Sequence, residues 1–276
     1  MFAKLLKYDL RAVFKHWWIA AAASVLIAAI GGVCISIVNV NYTSYGALQT
    51  VATLGLVLSI IGIILFYVLS ELLVLIRYYK NFYSDEGYLT FTLPVSKSSL
   101  LNSKLLMSLI VFVVSTAVLL LDIGIMLSIG YADQIFKVYF WEQIFAVIAD
   151  ITKVLGGYTA VYIVEGLIAL LTLWVFTALA IFICITVASM LVHKHKVFAA
   201  VGIYYVATGI ISGLIEILIL RFSFYHIIEK IVELERVPCL NSVTFLILGG
   251  IAVAGIASAL LYMLHLWLLE RKLNLE

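Results

Sequence analysis

Four acidic residues stand inside or at the ends of long apolar runs, and they are the groups in this chain best placed for chemistry: Glu71, Asp122, Glu165 and Glu216. An ionisable side chain at membrane depth is costly, so such residues face protein or a water-filled path and mark routes for protons, ions or charged substrates. Glu71 falls toward the side of its run that shares a membrane face with the N-terminus, and Asp122, Glu165 and Glu216 fall toward the other side. Three acids at similar depth would line a vestibule for a cationic substrate or form a proton path. The plainer alternative is that each pairs locally with a hydroxyl, a backbone group or interfacial water.

Covalent chemistry has less to work with. The chain contains no G-x-x-x-x-G-K-[ST], no H-E-x-x-H, no G-x-S-x-G and no C-x-x-C. In His193-Lys194-His195-Lys196 the imidazoles stand at i and i+2, on different helix faces and with no acid nearby, so this is a solvated basic turn rather than a metal site. An intramembrane hydrolase built on Glu165, Glu216 and His265 fails on depth, because His265 belongs to the opposite end of its run. No catalytic residue, metal ligand set or resident cofactor is assigned.

The elements that must hold these acids are helices in lipid. The chain is 65% hydrophobic and 12% charged, against roughly 45–50% and about 25% in ordinary globular domains. That excess cannot face water, and the fold class is an all-α membrane protein. Six runs are long enough to cross about 30 Å of hydrocarbon. They fall near 17–38, 53–76, 104–129, 159–191, 197–220 and 244–268, the fourth being long enough to tilt or break. The second and third continue as helix into water. With the N-terminus inside, the inner segments hold twelve Lys and Arg and the outer segments five. This bias places both termini in the cytoplasm and agrees with an even number of spans. Cys34 and Cys184 lie in apolar runs, so Cys239 completes no disulfide framework. The basic, periodic N-terminus does not read as a cleavable signal.

The chain divides at residue 16. Over 1–16, Phe2, Leu5, Leu6, Leu10, Val13 and Phe14 share one helical face, while Lys4, Lys7, Arg11 and Lys15 share the opposite one. That pattern predicts an amphipathic interfacial helix, basic side to anionic lipid, ahead of a six-helix domain over 17–276. Asp9 falls among the apolar residues: either it snorkels at the helix edge or it pairs with a cationic group on the cytoplasmic loops. Farther on, the aromatic segment 130–158 predicts a helix at the outer interface. Segment 221–243, interrupted by Pro238, predicts a shallow hairpin in the outer leaflet. Ser24, Ala28 and Gly32 belong to a stripe of small residues every four positions from Ala20 to Ser36, and Gly250, Ala254 and Ser258 form a shorter one. Such stripes let helix backbones approach closely, within one chain or between two copies.

The inner loop 77–103 is the most informative stretch. Ser84 is placed to cap a short helix whose first residues, Asp85 and Glu86, suit its dipole. That helix would run to about Thr92 and stop before Pro94, with Ser96 capping the helix that becomes the third span. It would lie along the membrane and display Tyr88, Leu89 and Phe91, either as a docking element for another protein or as an interfacial helix that only covers the bundle.

The run from Phe82 through Ser96, FYSDEGYLTFTLPVS, followed by Leu100-Leu101-Asn102-Ser103-Lys104-Leu105, resembles the first cytoplasmic loop of type-2 ATP-binding-cassette permeases of Gram-positive bacteria. Leu5-Leu6-Lys7-Tyr8-Asp9-Leu10 is similar to the opening of the same permeases, and the layout agrees over nearly the whole chain. The aromatic outer segment between the third and fourth spans departs from the pattern in its length. The resemblance implies an exporter in the bacterial cytoplasmic membrane, built from two permeases, identical or paralogous, above separate ATPase subunits that carry ATP and Mg. Asp85, Glu86, Gly87, Tyr88, Leu89, Phe91, Leu93 and Pro94 would then form the coupling helix seated in the ATPase. The substrate class stays open among peptides, antibiotics, lipids and polysaccharide precursors. Nucleic acid is not an expected partner. The alternative from another class is a secondary transporter driven by protons, which would call for inverted repeats and broken helices at mid-membrane.

Overall fold

The computed structural model describes residues 2–40, 46–92, 94–132, 138–155, 158–191, 199, 202–210 and 239–271. The described chain is helical almost throughout, and no strand occurs among the described residues. In chain order the helices are α1 (Phe2–Val40), α2 (Ala47–Tyr83), α3 (Asp85–Thr92), α4 (Lys97–Gly130), α5 (Val138–Leu155), α6 (Thr159–Leu191) and α7 (Cys239–Arg271). Five of them, α1, α2, α4, α6 and α7, are long and apolar enough to cross a membrane. Of the remaining expected run, 197–220, residues 202–210 are helical and most of the rest lies outside the described residues, as does nearly all of the expected hairpin over 221–243. Large apolar side chains stay exposed along the long helices, Leu58 on α2, Leu120 on α4 and Ile163 on α6 among them. Exposed apolar faces of this extent suit lipid and not water.

The chain forms two compact units. The first contains Met1–Lys80 and Ser99–Ile151, and the second contains Asn81–Ser98 and Thr152–Glu276. Segment 81–98, with α3 inside it, therefore belongs with α6 and α7 rather than with the bodies of the two helices it joins.

In the first unit α1 is one helix of 39 residues. The helix continues through residue 16, where the sequence changes from amphipathic to apolar. No glycine or proline interrupts Phe2–Ile30, and the buried face passes straight through it by way of Asp9, Val13, Trp17, Ala21, Ser24 and Ala28. Steps of three and four residues keep these side chains on one stripe. Lys4, Lys7, Arg11 and Lys15 remain exposed on the other side. Trp17 is fully buried, donates Nε1–H to Ser115 Oγ at 3.1 Å and packs on the Phe66 ring at 5.8 Å. It thus ties α1 to both α4 and α2.

The small-residue stripe is used within this chain. Ser24, Ala28 and Gly32 are buried. A Cβ on Gly32 would come within 2.7 Å of Ile129 Cβ and 2.9 Å of the Met126 carbonyl oxygen. Only a hydrogen fits there, so α1 and α4 approach to backbone contact, as small residues in membrane helices permit. On α7 the shorter stripe has no such contact: among the described residues nothing lies within 4 Å of a Cβ on Gly250.

In the second unit α6 and α7 pack side by side. The packed part of α6 is its C-terminal end, where Leu179, Phe182, Cys184, Thr186 and Ala188 are buried. α6 runs unbroken over 33 residues. α5 is an 18-residue helix inside the expected outer segment, with Trp141 and Phe145 exposed and their rings 6.3 Å apart.

Candidate functional site

Functional groups gather where α2 turns into α3. α2 ends at Tyr83, Ser84 forms the corner, and α3 occupies Asp85–Thr92, the span the sequence predicts. The Gly87 amide donates to the Ser84 carbonyl at 2.7 Å. Gly87 is buried, and a Cβ on it would meet the Phe82 carbonyl oxygen at 2.7 Å. A glycine is therefore required for α3 to fold back this closely onto the end of α2. Phe82 is fully buried and its ring lies 5.5 Å from that of Phe91, so the two aromatics hold the corner shut. Thr90 and Thr92 spend their hydroxyls on the Glu86 and Leu89 carbonyls within α3.

The eight expected docking residues thus separate. Glu86, Leu89 and Pro94 are exposed, Leu89 at 67%. Gly87 is interior, and Phe91 is half-buried against Phe82, so it serves the corner more than the outward face. Asp85 and Tyr88 are residues of α3, and Leu93 lies outside the described residues.

Each flank of α3 is fastened to α6 and α7. Before it, the Tyr83 hydroxyl donates to Thr186 Oγ1 at 2.7 Å, and Thr186 Oγ1 lies 3.1 Å from His265 Nε2. After it, Lys97 Nζ donates to the Leu269 carbonyl at 2.9 Å. Thr186 and His265 are both buried. Sequence reading passed over this set. Its only signal was a hydroxyl and an imidazole inside apolar runs, and a threonine there bonds its own helix as readily, as Thr186 also does to the Phe182 carbonyl at 2.8 Å.

In the first unit Asp9 shows what its place on the apolar face of α1 means. It is 1% exposed and pairs with Lys104 of α4, itself fully buried, and with Arg77 of α2 at 3.3 Å. Of the two readings of Asp9, pairing with cationic groups is the one realised, and both partners stand in helices rather than in a loop. Buried charges persist only when paired and hydrogen-bonded in this manner.

The described acids of the apolar runs belong to different units: Glu71 and Asp122 to the first and Glu165 to the second. Asp122 is buried in the first unit beside Ser24, whose hydroxyl donates to the Ala21 carbonyl at 2.9 Å, and neither carboxylate oxygen has a partner at hydrogen-bond geometry among the described residues. Glu165 is buried in the second unit, with Oε2 likewise lacking one. Glu71 is half-buried on α2, and Glu216 lies outside the described residues. Among the described residues no group of three His, Cys, Asp or Glu side chains is arranged to hold a metal ion.

Fold and site together define an all-helical chain with several helices able to cross a membrane, carrying a short, partly exposed helix fixed between two of them. No protein-family model, curated protein or solved structure matches the chain.

Proposed function

We infer that this chain is the membrane permease subunit of an ATP-driven exporter, with α3 as the element that docks on a separate ATPase. The carrying observation is the construction of α3. It is an eight-residue helix between two membrane-length helices, pinned from within by Gly87 and the Phe82–Phe91 pair while Glu86 and Leu89 face outward. A rigid knob with an exposed leucine suits insertion into a groove of another protein. The missing P-loop agrees with ATP and Mg being held by the partner. Six spans, both termini in the cytoplasm of a bacterial cell and pairing with a second permease complete the proposal. Its mechanism is a two-state bundle biased by differential binding of ATP to the ATPase.

The test is purification of the chain from its native membrane in mild detergent, followed by mass spectrometry and an ATPase assay. A P-loop ATPase is expected to co-purify and to be lost, by roughly tenfold or more, with Leu89→Asp, about 1.4 kcal/mol of affinity being one decade. Recovery of no ATPase, or undiminished recovery with Leu89→Asp, overturns the proposal.

A second reading, a proton-driven secondary transporter, draws on one observation: the buried Asp122 carboxyl with no hydrogen-bond partner among the described residues. It requires transport that persists without any ATPase and ceases with Asp122→Asn.

A further inference from the structure

The helices on either side of α3 are each fastened within both units, and the division between the units falls between those fastenings. On α2, Arg77 is tied to Asp9 in the first unit, and six residues later Tyr83 is tied to Thr186 in the second. On α4, Lys97 is tied to Leu269 in the second unit, and seven residues later Lys104 is tied to Asp9 in the first. Lys97 reaches α7 directly at Leu269 and Tyr83 reaches it through Thr186 of α6 at His265, and His265 and Leu269 are four residues apart on one helical face. Both residues are fully buried.

We propose that Tyr83 and Lys97 are positioning residues that deliver movement of α3 to the α6–α7 pair, and not to α2 and α4, the helices α3 interrupts. The proposal rests on the reading of α3 as the ATPase-docking element and names the path beyond it. Segment 81–98 is bracketed to α6–α7 by two bonds, one on each side of the knob. A push on Leu89 therefore carries α6 and α7 with it. The ionic ties at Arg77 and Lys104 meanwhile keep the bodies of α2 and α4 with α1. The Tyr83 hydroxyl works through Thr186 as a junction: Thr186 Oγ1 lies within bonding distance of Tyr83 on α2, His265 on α7 and its own Phe182 carbonyl on α6. Three helices thus meet at one hydroxyl, and small shifts of α3 are registered on all of them.

The test uses the full chain with its co-purified ATPase in lipid nanodiscs. Cys34, Cys184 and Cys239 are replaced by Ala, and a reporter thiol is introduced by Glu270→Cys at an exposed position beside Leu269. The rate of maleimide labelling is measured with and without ATP plus vanadate. A nucleotide-dependent change of roughly threefold or more is expected in this background. It should fall to within experimental error in Tyr83→Phe and in Lys97→Met, with ATPase recovery unchanged in both. The two variants act on opposite flanks of α3, so a folding defect in one leaves the other to decide. If both variants retain ATPase and the full labelling response, this path is wrong although the docking reading stands. If no ATPase accompanies the parent chain, the docking reading falls and the path with it.

Discussion

The two units fasten the same pair of helices by opposite chemistry. In the first, a carboxylate at Asp9 gathers Arg77 and Lys104 in a nearly dry setting. In the second, a phenol, a hydroxyl and an imidazole meet at Thr186, and a lysine reaches only a backbone carbonyl. A hydrogen bond between neutral groups contributes about 0.5–1.5 kcal/mol. Removing one partner of a buried ion pair costs roughly 3–5 kcal/mol, because the other charge stays behind in a low dielectric. The ionic tie resists partial opening, whereas the neutral tie at Thr186 exchanges partners at small cost. A segment that must move while its neighbours hold still is well served by that difference.

The comparison breaks most visibly at Asp9. Asp9→Ala leaves the buried Lys104 ammonium without its carboxylate, and a loss of roughly 3–5 kcal/mol is expected. Survival of the purified protein on heating in mild detergent reads it directly. Lys104→Met in the same chain should recover much of the loss, since the stranded charge is the main cost. An Asp9→Ala chain as heat-resistant as the parent would show that the ionic tie is not structural.

A second, smaller contrast lies between the two small-residue stripes. Gly32→Ala forces a methyl against Ile129 and the Met126 carbonyl, and overpacking of this kind costs about 1–3 kcal/mol. Gly250→Ala meets open space, and alanine is the better helix former by up to about 1 kcal/mol. The first change should lower heat resistance and the second should not. Equal effects would mean that close contact between α1 and α4 does not distinguish the stripes.

The sequence made the helices and the α3 corner legible for specific reasons. Apolar length marked α1, α2, α4, α6 and α7. Ser84, Asp85 and Pro94 bounded α3 closely, because capping and proline geometry are local rules. The position of Asp9 on an apolar face left two readings, a snorkelling edge residue or a partner for a cation, and the pairing is the one found. What local rules do not carry is which partner lies across a gap of 68 or 95 residues, as for Arg77 and Lys104. The division at residue 16 was read from polarity and leaves no mark on the backbone: a change in polarity is not a change in helix propensity, and no glycine or proline stands from Phe2 to Ile30. Phe91 read as a displayed aromatic because exposure is a tertiary property, and its ring is instead taken up by Phe82. The Thr186 junction was silent, since a threonine bonded to its own helix gives no sign of also receiving Tyr83.

The smallest effect sharpens the comparison furthest. Thr186→Val keeps the shape of the side chain and removes the hydroxyl at which Tyr83 and His265 meet. The net loss expected is about 1 kcal/mol, the scale of one neutral hydrogen bond, because neighbouring polar groups and water take up part of the deficit. A cycle of Tyr83→Phe, Thr186→Val and the double variant isolates the Tyr83–Thr186 coupling. If the second unit is held by exchangeable bonds, this coupling is a small fraction of the Asp9–Lys104 coupling from the corresponding cycle. Equal couplings would mean that the hydroxyl junction is as firm as the ion pair, and that segment 81–98 is no easier to move than the helices around it.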